Sequence, residues 1–117
     1  LGTSGTFVGV VRRLRELNPA IKAIAVQPES PLHGLEGLKH MATAITPGIF
    51  DPSLVAETLE VSTEDALLMT GRLAREQGIF VGPSSGANVF AARKLAASLR
   101  PPAVVVTVLC DGGERYL

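Results

Sequence analysis

The chain has 117 residues, enough for one domain with a real core, and its 46% hydrophobic content is ordinary for a soluble globular protein. Eleven basic and eleven acidic residues cancel and are dispersed, so the electrostatic footprint of a nucleic-acid or anionic-membrane binder is missing. One Tyr and four Phe make a poor stacking platform, no apolar run approaches the ~20 residues that span a bilayer, and the single Cys110 has no internal disulfide partner. A cytoplasmic protein with no nucleic-acid and no membrane partner is expected.

Gly2-Thr3-Ser4-Gly5-Thr6 opens the chain and runs directly into Phe7, Val10, Val11, Leu14 and Leu17, whose spacing predicts an amphipathic helix that stops before Asn18-Pro19. Two readings fit the pentapeptide. Its glycines, hydroxyls and backbone N–H groups at the positive end of a helix suit an anion such as phosphate, while Thr or Ser could equally serve as a plain N-cap. Ile21 to Val26 reads as a short buried strand and Gln27 to Pro31 as a turn. His33 to Met41 holds too many glycines for a long helix and is expected to be a loop with a helical turn. Pro47-Gly48 and Asp51-Pro52 mark further turns, and Thr58 to Val61 is β-rich enough for a strand.

Ser62 with Glu64 and Asp65 predicts a capped helix ending near Gln77-Gly78. Ile79 to Val81 reads as a very short strand, followed by the hydroxyl-bearing turn Gly82-Pro83-Ser84-Ser85-Gly86-Ala87 and an alanine-rich helix to about Leu99. Pro101-Pro102 breaks that helix. Val104 to Leu109 is an uninterrupted β-branched run of the kind buried on both faces of a parallel sheet. Strands alternating with helices predict an α/β layered fold with a parallel sheet. In such sheets hydroxyl-bearing turns gather at the carboxyl ends of strands, so the two turns could face one pocket, although Ser84 or Ser85 could also simply cap the alanine-rich helix. The glycines at 2, 5 and 9 do not form G-x-G-x-x-G, and Gln27 rather than an acidic residue follows the next strand, so dinucleotide binding is poorly supported. No histidines or carboxylates have metal-ligand spacing, and no metal site is expected.

Gly2 to Thr6, Gly82 to Ala87 and Asp111-Gly112-Gly113-Glu114-Arg115-Tyr116-Leu117 stand in the order of three signatures of one family. They resemble those of the cysteine synthase and cystathionine β-synthase family, pyridoxal-phosphate enzymes of fold type II. Pro47-Gly48-Ile49-Phe50 and Glu76 to Val81 are similar to family segments as well. The resemblance implies a three-layer α/β sandwich with a mainly parallel sheet, the tryptophan synthase β-like fold. Residues 1–117 would form a single partial domain carrying the phosphate- and pyridine-binding part, with the N-terminal part of the enzyme absent.

By the same resemblance, Gly2, Thr3, Ser4, Gly5 and Thr6 hold the phosphate of pyridoxal 5'-phosphate and Ser84 bonds its pyridine nitrogen, with Ser85 as the fallback. Ser4 stands where the family commonly has a third glycine, which is tolerable provided its φ is not positive. Gly37 and Lys39 would lie at the active-site entrance, where Lys39 or His40 could meet an anionic group of the substrate; an exposed loop lysine is otherwise merely solvated. His33 is expected to be structural or solvent-facing, Cys110 a small buried hydrophobe, and Glu114 with Arg115 a structural pair. The enzyme implied makes cysteine from O-acetylserine or O-phosphoserine and sulfide through an aminoacrylate, as a cytoplasmic homodimer. Alternatives are cystathionine β-synthase, a serine/threonine dehydratase, or a non-catalytic phosphate- or nucleotide-binding module. Such enzymes need a Schiff-base lysine. Lys22, Lys39 and Lys94 do not match the family's lysine, so no catalytic residue is assigned and these residues alone are expected to be inactive.

Overall fold

The computed structural model describes residues 1–117. Helix α1 spans Gly5–Leu17 and buries Val8 and Val11, while Arg12 and Arg13 face solvent. It stops where expected: Asn18 leaves the helical region ahead of Pro19, its N–H still bonded to the Leu14 carbonyl. Arg15 then folds back on the chain beyond, donating to the carbonyls of Ile21 at 3.4 Å and Leu54 at 2.9 Å.

Strand β1 is Ile24–Pro28 and β2 is Glu57–Val61, paired parallel from Ile24 against Glu57 to Pro28 against Val61. The parallel pairing agrees with the reading from sequence, but β1 starts and ends later than Ile21 and Val26. Register explains the difference. β2 begins opposite Ile24, and Pro28, placed in a turn by composition, still lies in the ladder beside Val61. The connection between the strands holds no α-helix, only turns and a 3-10 turn at Pro52–Leu54, whose start is capped by Asp51 accepting from the Ser53 N–H at 3.0 Å.

Helix α2, Thr63–Gln77, begins with the predicted cap: Ser62 Oγ accepts from the Asp65 N–H at 3.0 Å, with Glu64 and Asp65 in the first turn. It ends at Gly78, whose φ of 67° is the left-handed conformation that glycine adopts without a Cβ penalty. Helix α3, Pro83–Ser98, has proline in its first turn, where the missing N–H costs nothing. α3 packs against both strands and α2 packs on α3. The core between them holds Leu35, Val61, Ala66, Ala87 and Ala91. The small side chains of Ala66 on α2 and of Ala87 and Ala91 on α3 let the helices approach closely, and a Cβ at Gly86 would strike the Ala66 carbonyl and Thr70 Oγ1 of α2.

Two expected strands take other forms. Of Ile79 to Val81 only Val81 pairs, in an antiparallel bridge with Gly112. Val104 to Leu109 joins no ladder, and Val104 and Val106 are 90% and 85% exposed rather than buried. β-branched composition supplies propensity but not a neighbour, and no strand of this chain pairs with the run. Cys110, which follows this unpaired run, is exposed, contrary to its expected burial. No helix is long and apolar enough to cross a membrane.

Candidate functional site

The first turn exposes its donors. The earliest amide of α1 to find a carbonyl is that of Val8, bonded to Ser4 at 2.9 Å, so the N–H groups of Gly5, Thr6 and Phe7 have no partner within the helix. Thr3, Gly5 and Thr6 are exposed, while Ser4 is 4% exposed. Ser4 caps nothing: it forms no side-chain cap bond, and its buried Oγ has no hydrogen-bond partner. Its φ is 72°, the left-handed region, so this serine does occupy a glycine-type conformation, against the condition that would make it an easy replacement for glycine. A buried, unpartnered hydroxyl beside free amides at the positive end of a helix is a cradle that suits a phosphate.

The loop at 33–41 closes on this turn. The carbonyl of Gly37 lies directly over Gly2, where a Cβ would collide with it, and Gly37 itself has a φ of 82°. The Lys39 N–H donates to the Leu1 carbonyl at 2.8 Å, and the Leu1 nitrogen donates to Val26 of β1 at 2.6 Å. Gly2, Gly37 and Lys39 are therefore neighbours, with Lys39 half-buried and its ammonium in no ion pair. The segment is a run of turns, without the α-helix geometry of its flanking elements. His33 Nδ1 accepts from the Leu35 N–H at 3.1 Å and so has the expected structural part, and His40 Nδ1 bonds Thr43 Oγ1 at 2.9 Å.

The second turn distinguishes its two serines. Ser85 is fully buried and its Oγ accepts from the Cys110 N–H at 2.8 Å. Ser84 is 5% exposed and its hydroxyl bonds nothing in the chain. Neither caps α3, whose N-cap is Gly82. The third segment clips onto this turn: Gly82 N–H donates to the Asp111 carbonyl at 3.3 Å and Gly113 N–H to that of Phe80 at 3.2 Å.

Glu114 and Arg115 do not pair with each other; the bond in this segment is instead Tyr116 Oη to Asp111 Oδ2 at 2.6 Å. Bonding to Asp111 raises the Tyr116 pKa above its ordinary value, with further contributions from burial and from the negative charges of Asp111 and Glu36. An acceptor and a phenol five residues apart carry no helix or strand periodicity, so their pairing has no sequence signal. A cleft of about 310 Å³ between α2 and α3, lined among others by Asp65, Met69, Arg72 and Lys94, lies away from all three glycine segments.

Known proteins are similar to this chain along nearly its whole length, among them the following three. Cysteine synthase of Aquifex aeolicus is 49% identical over 120 residues, covering 100% of this chain and 37% of that protein. The crystal structure of an O-ureido-L-serine synthase superposes with a TM-score of 0.91 at 33% identity, covering 99% of this chain and 39% of that one. That of an O-acetylserine dependent cystathionine beta-synthase from Helicobacter pylori gives 0.90 at 36% identity, covering 100% and 40%. The chain thus spans about two fifths of the length of the proteins it matches. The likeness shows the expected fold, an α/β sandwich with a mainly parallel sheet of the tryptophan synthase β-like type. A family model for pyridoxal-phosphate dependent enzymes matches residues 1–111, from the first glycine turn to Asp111, and the chain belongs to that family.

Proposed function

We propose that these residues form the phosphate- and pyridine-binding part of a homodimeric enzyme that makes cysteine from an O-activated serine and sulfide. The observation that carries the reading is a pair of serines at the start of two helices in the family's order, whose hydroxyls bond nothing in the chain: the enclosed Oγ of Ser4 and the Oγ of Ser84, a residue that is itself 5% exposed. Similarity to a cysteine synthase along the whole chain supports the reaction class.

When bound, pyridoxal phosphate supplies an electron sink that acidifies the α-carbon of an amino acid and lets a β-substituent leave. Every other part here belongs to the protein. Free amides of α1 and the hydroxyls of Thr3, Ser4 and Thr6 bind and orient the phosphate. Ser84 holds the pyridine nitrogen through a neutral hydroxyl, which does not force that nitrogen to stay protonated, and Ser85 is already committed to Cys110. Gly37 brings backbone to the edge of the cradle, and Lys39 presents a cation to a leaving group or substrate carboxylate. The residue that moves protons at the α-carbon comes from outside these residues.

The reading is tested on the complete protein reconstituted with pyridoxal phosphate. A visible Schiff-base band is expected, changing on addition of O-acetylserine or O-phosphoserine and returning when sulfide is added. Ser84→Ala should retain the cofactor but alter the band and slow elimination. Absence of any band, or an unaltered band and rate in Ser84→Ala, would reject the enzyme or the Ser84 assignment respectively.

A further inference from the structure

One buried polar atom outside the cradle has no partner. Asp111 Oδ2 accepts the Tyr116 hydroxyl, but Oδ1 is enclosed and bonded to nothing. Leaving a carboxylate oxygen without a donor is costly, so its position calls for a physical reason. The surrounding geometry supplies one. A Cβ at Gly82 would strike both Asp111 Oδ1 and the Tyr116 ring, so the carboxylate lies directly over the N-cap of α3, which has no side-chain cap of its own. An anion at that end is favoured by the helix dipole. Four bonds fix the register of the two segments: Gly82 N–H to Asp111, Gly113 N–H to Phe80, Cys110 N–H to Ser85 Oγ, and Asn88 Nδ2 to the Val108 carbonyl at 3.0 Å. The segment from Val108 to Tyr116 therefore clamps the first turn of α3, and Ser84 is in that turn.

We infer that Asp111, oriented by the Tyr116 hydroxyl, is a positioning residue that holds the first turn of α3 so that Ser84 Oγ meets the pyridine nitrogen. The inference rests on the assignment of Ser84 above. A serine hydroxyl is a single, rotatable partner, and the quality of its hydrogen bond depends steeply on where the backbone places it. Removing the Tyr116 hydroxyl frees the carboxylate to turn and loosens the clamp without touching the phosphate cradle. Asp111→Asn keeps the shape but removes the charge at the helix end.

The test uses the complete protein loaded with pyridoxal phosphate carrying ¹⁵N in its ring, read by NMR. Ser84→Ala is expected to shift the ring nitrogen resonance. Tyr116→Phe is expected to shift it in the same direction by a smaller amount, with the ³¹P resonance of the cofactor unmoved. In Ser84→Ala/Tyr116→Phe the nitrogen shift should equal that of Ser84→Ala alone, because the effect runs through the serine. Shifts that add in the double variant, or a Tyr116→Phe nitrogen resonance identical to wild type, would overturn the inference while leaving Ser84 in place. A resonance unmoved by Ser84→Ala overturns the Ser84 assignment itself, a different outcome. Should Tyr116→Phe fail to retain cofactor, Asp111→Asn serves in the same comparison with the same expected direction.

Discussion

Ser4→Gly should raise the stability of the cofactor-free protein and lower its affinity for phosphate, two effects of opposite benefit from one atom group. The serine holds a φ of 72°, which costs an L-residue about 1–2 kcal/mol relative to glycine. Its buried Oγ also has no partner, a penalty of about 1–3 kcal/mol. Glycine gives back about 0.5–1 kcal/mol through the larger entropy of its unfolded chain. The net expectation is a stabilisation of about 1–4 kcal/mol without cofactor. When phosphate occupies the cradle, the hydroxyl gains an ionised acceptor, and losing that bond should weaken binding by about 10- to 100-fold. Urea unfolding of the stripped complete protein measures the first effect, and fluorescence titration with pyridoxal phosphate, with inorganic phosphate as competitor, measures the second. A Ser4→Gly protein that is no more stable than wild type would refute the strain argument. Equal affinity for the cofactor would refute the contact.

Gly86→Ala should destabilise the protein by about 1–3 kcal/mol despite the better helix propensity of alanine, because the new methyl meets the Ala66 carbonyl and Thr70 Oγ1; an unchanged urea midpoint would mean that α2 and α3 can move apart freely. Lys39→Ala should slow the reaction of the complete enzyme with O-phosphoserine more than with O-acetylserine if the ammonium reads phosphate, and equal kcat/KM losses for both donors would remove that role. Tyr116 is the single tyrosine of these residues, and its pKa is raised by Asp111. The stability it contributes is present below the ordinary phenol value and is lost as pH rises through the folded value. Asp111→Asn should bring its titration down, which the tyrosinate absorbance difference between Tyr116 and Tyr116→Phe proteins follows; an unmoved titration would place the cause elsewhere.

Where a structural element depends on neighbours in sequence, the chain discloses it. The amphipathic spacing of α1, the Ser62 cap and Gly78 ending of α2, and the break after α3 are all local effects of side-chain period, capping and φ preference. The glycine turns are legible for the same reason, since a backbone that must expose N–H groups at a helix start needs small and hydroxyl-bearing residues there. Strands are less legible. Val104 to Leu109 has strong β propensity and still joins no ladder, because pairing is a property of two segments and composition describes only one. β1 lies further along the chain than its composition suggests for the same reason, its ends fixed by the partner β2.

By itself the sequence determined the helices, the parallel α/β plan and the order of the glycine turns, because those follow from residue period and turn chemistry within a few positions. Only the tertiary structure decided that Ser4 adopts a left-handed backbone, that Ser85 is already bonded to Cys110 while Ser84 is free, and that Asp111 and Tyr116 sit over the start of α3. Each of these depends on which remote group faces a hydroxyl or a carboxylate, and a hydrogen bond between distant segments leaves no period in the chain that makes it.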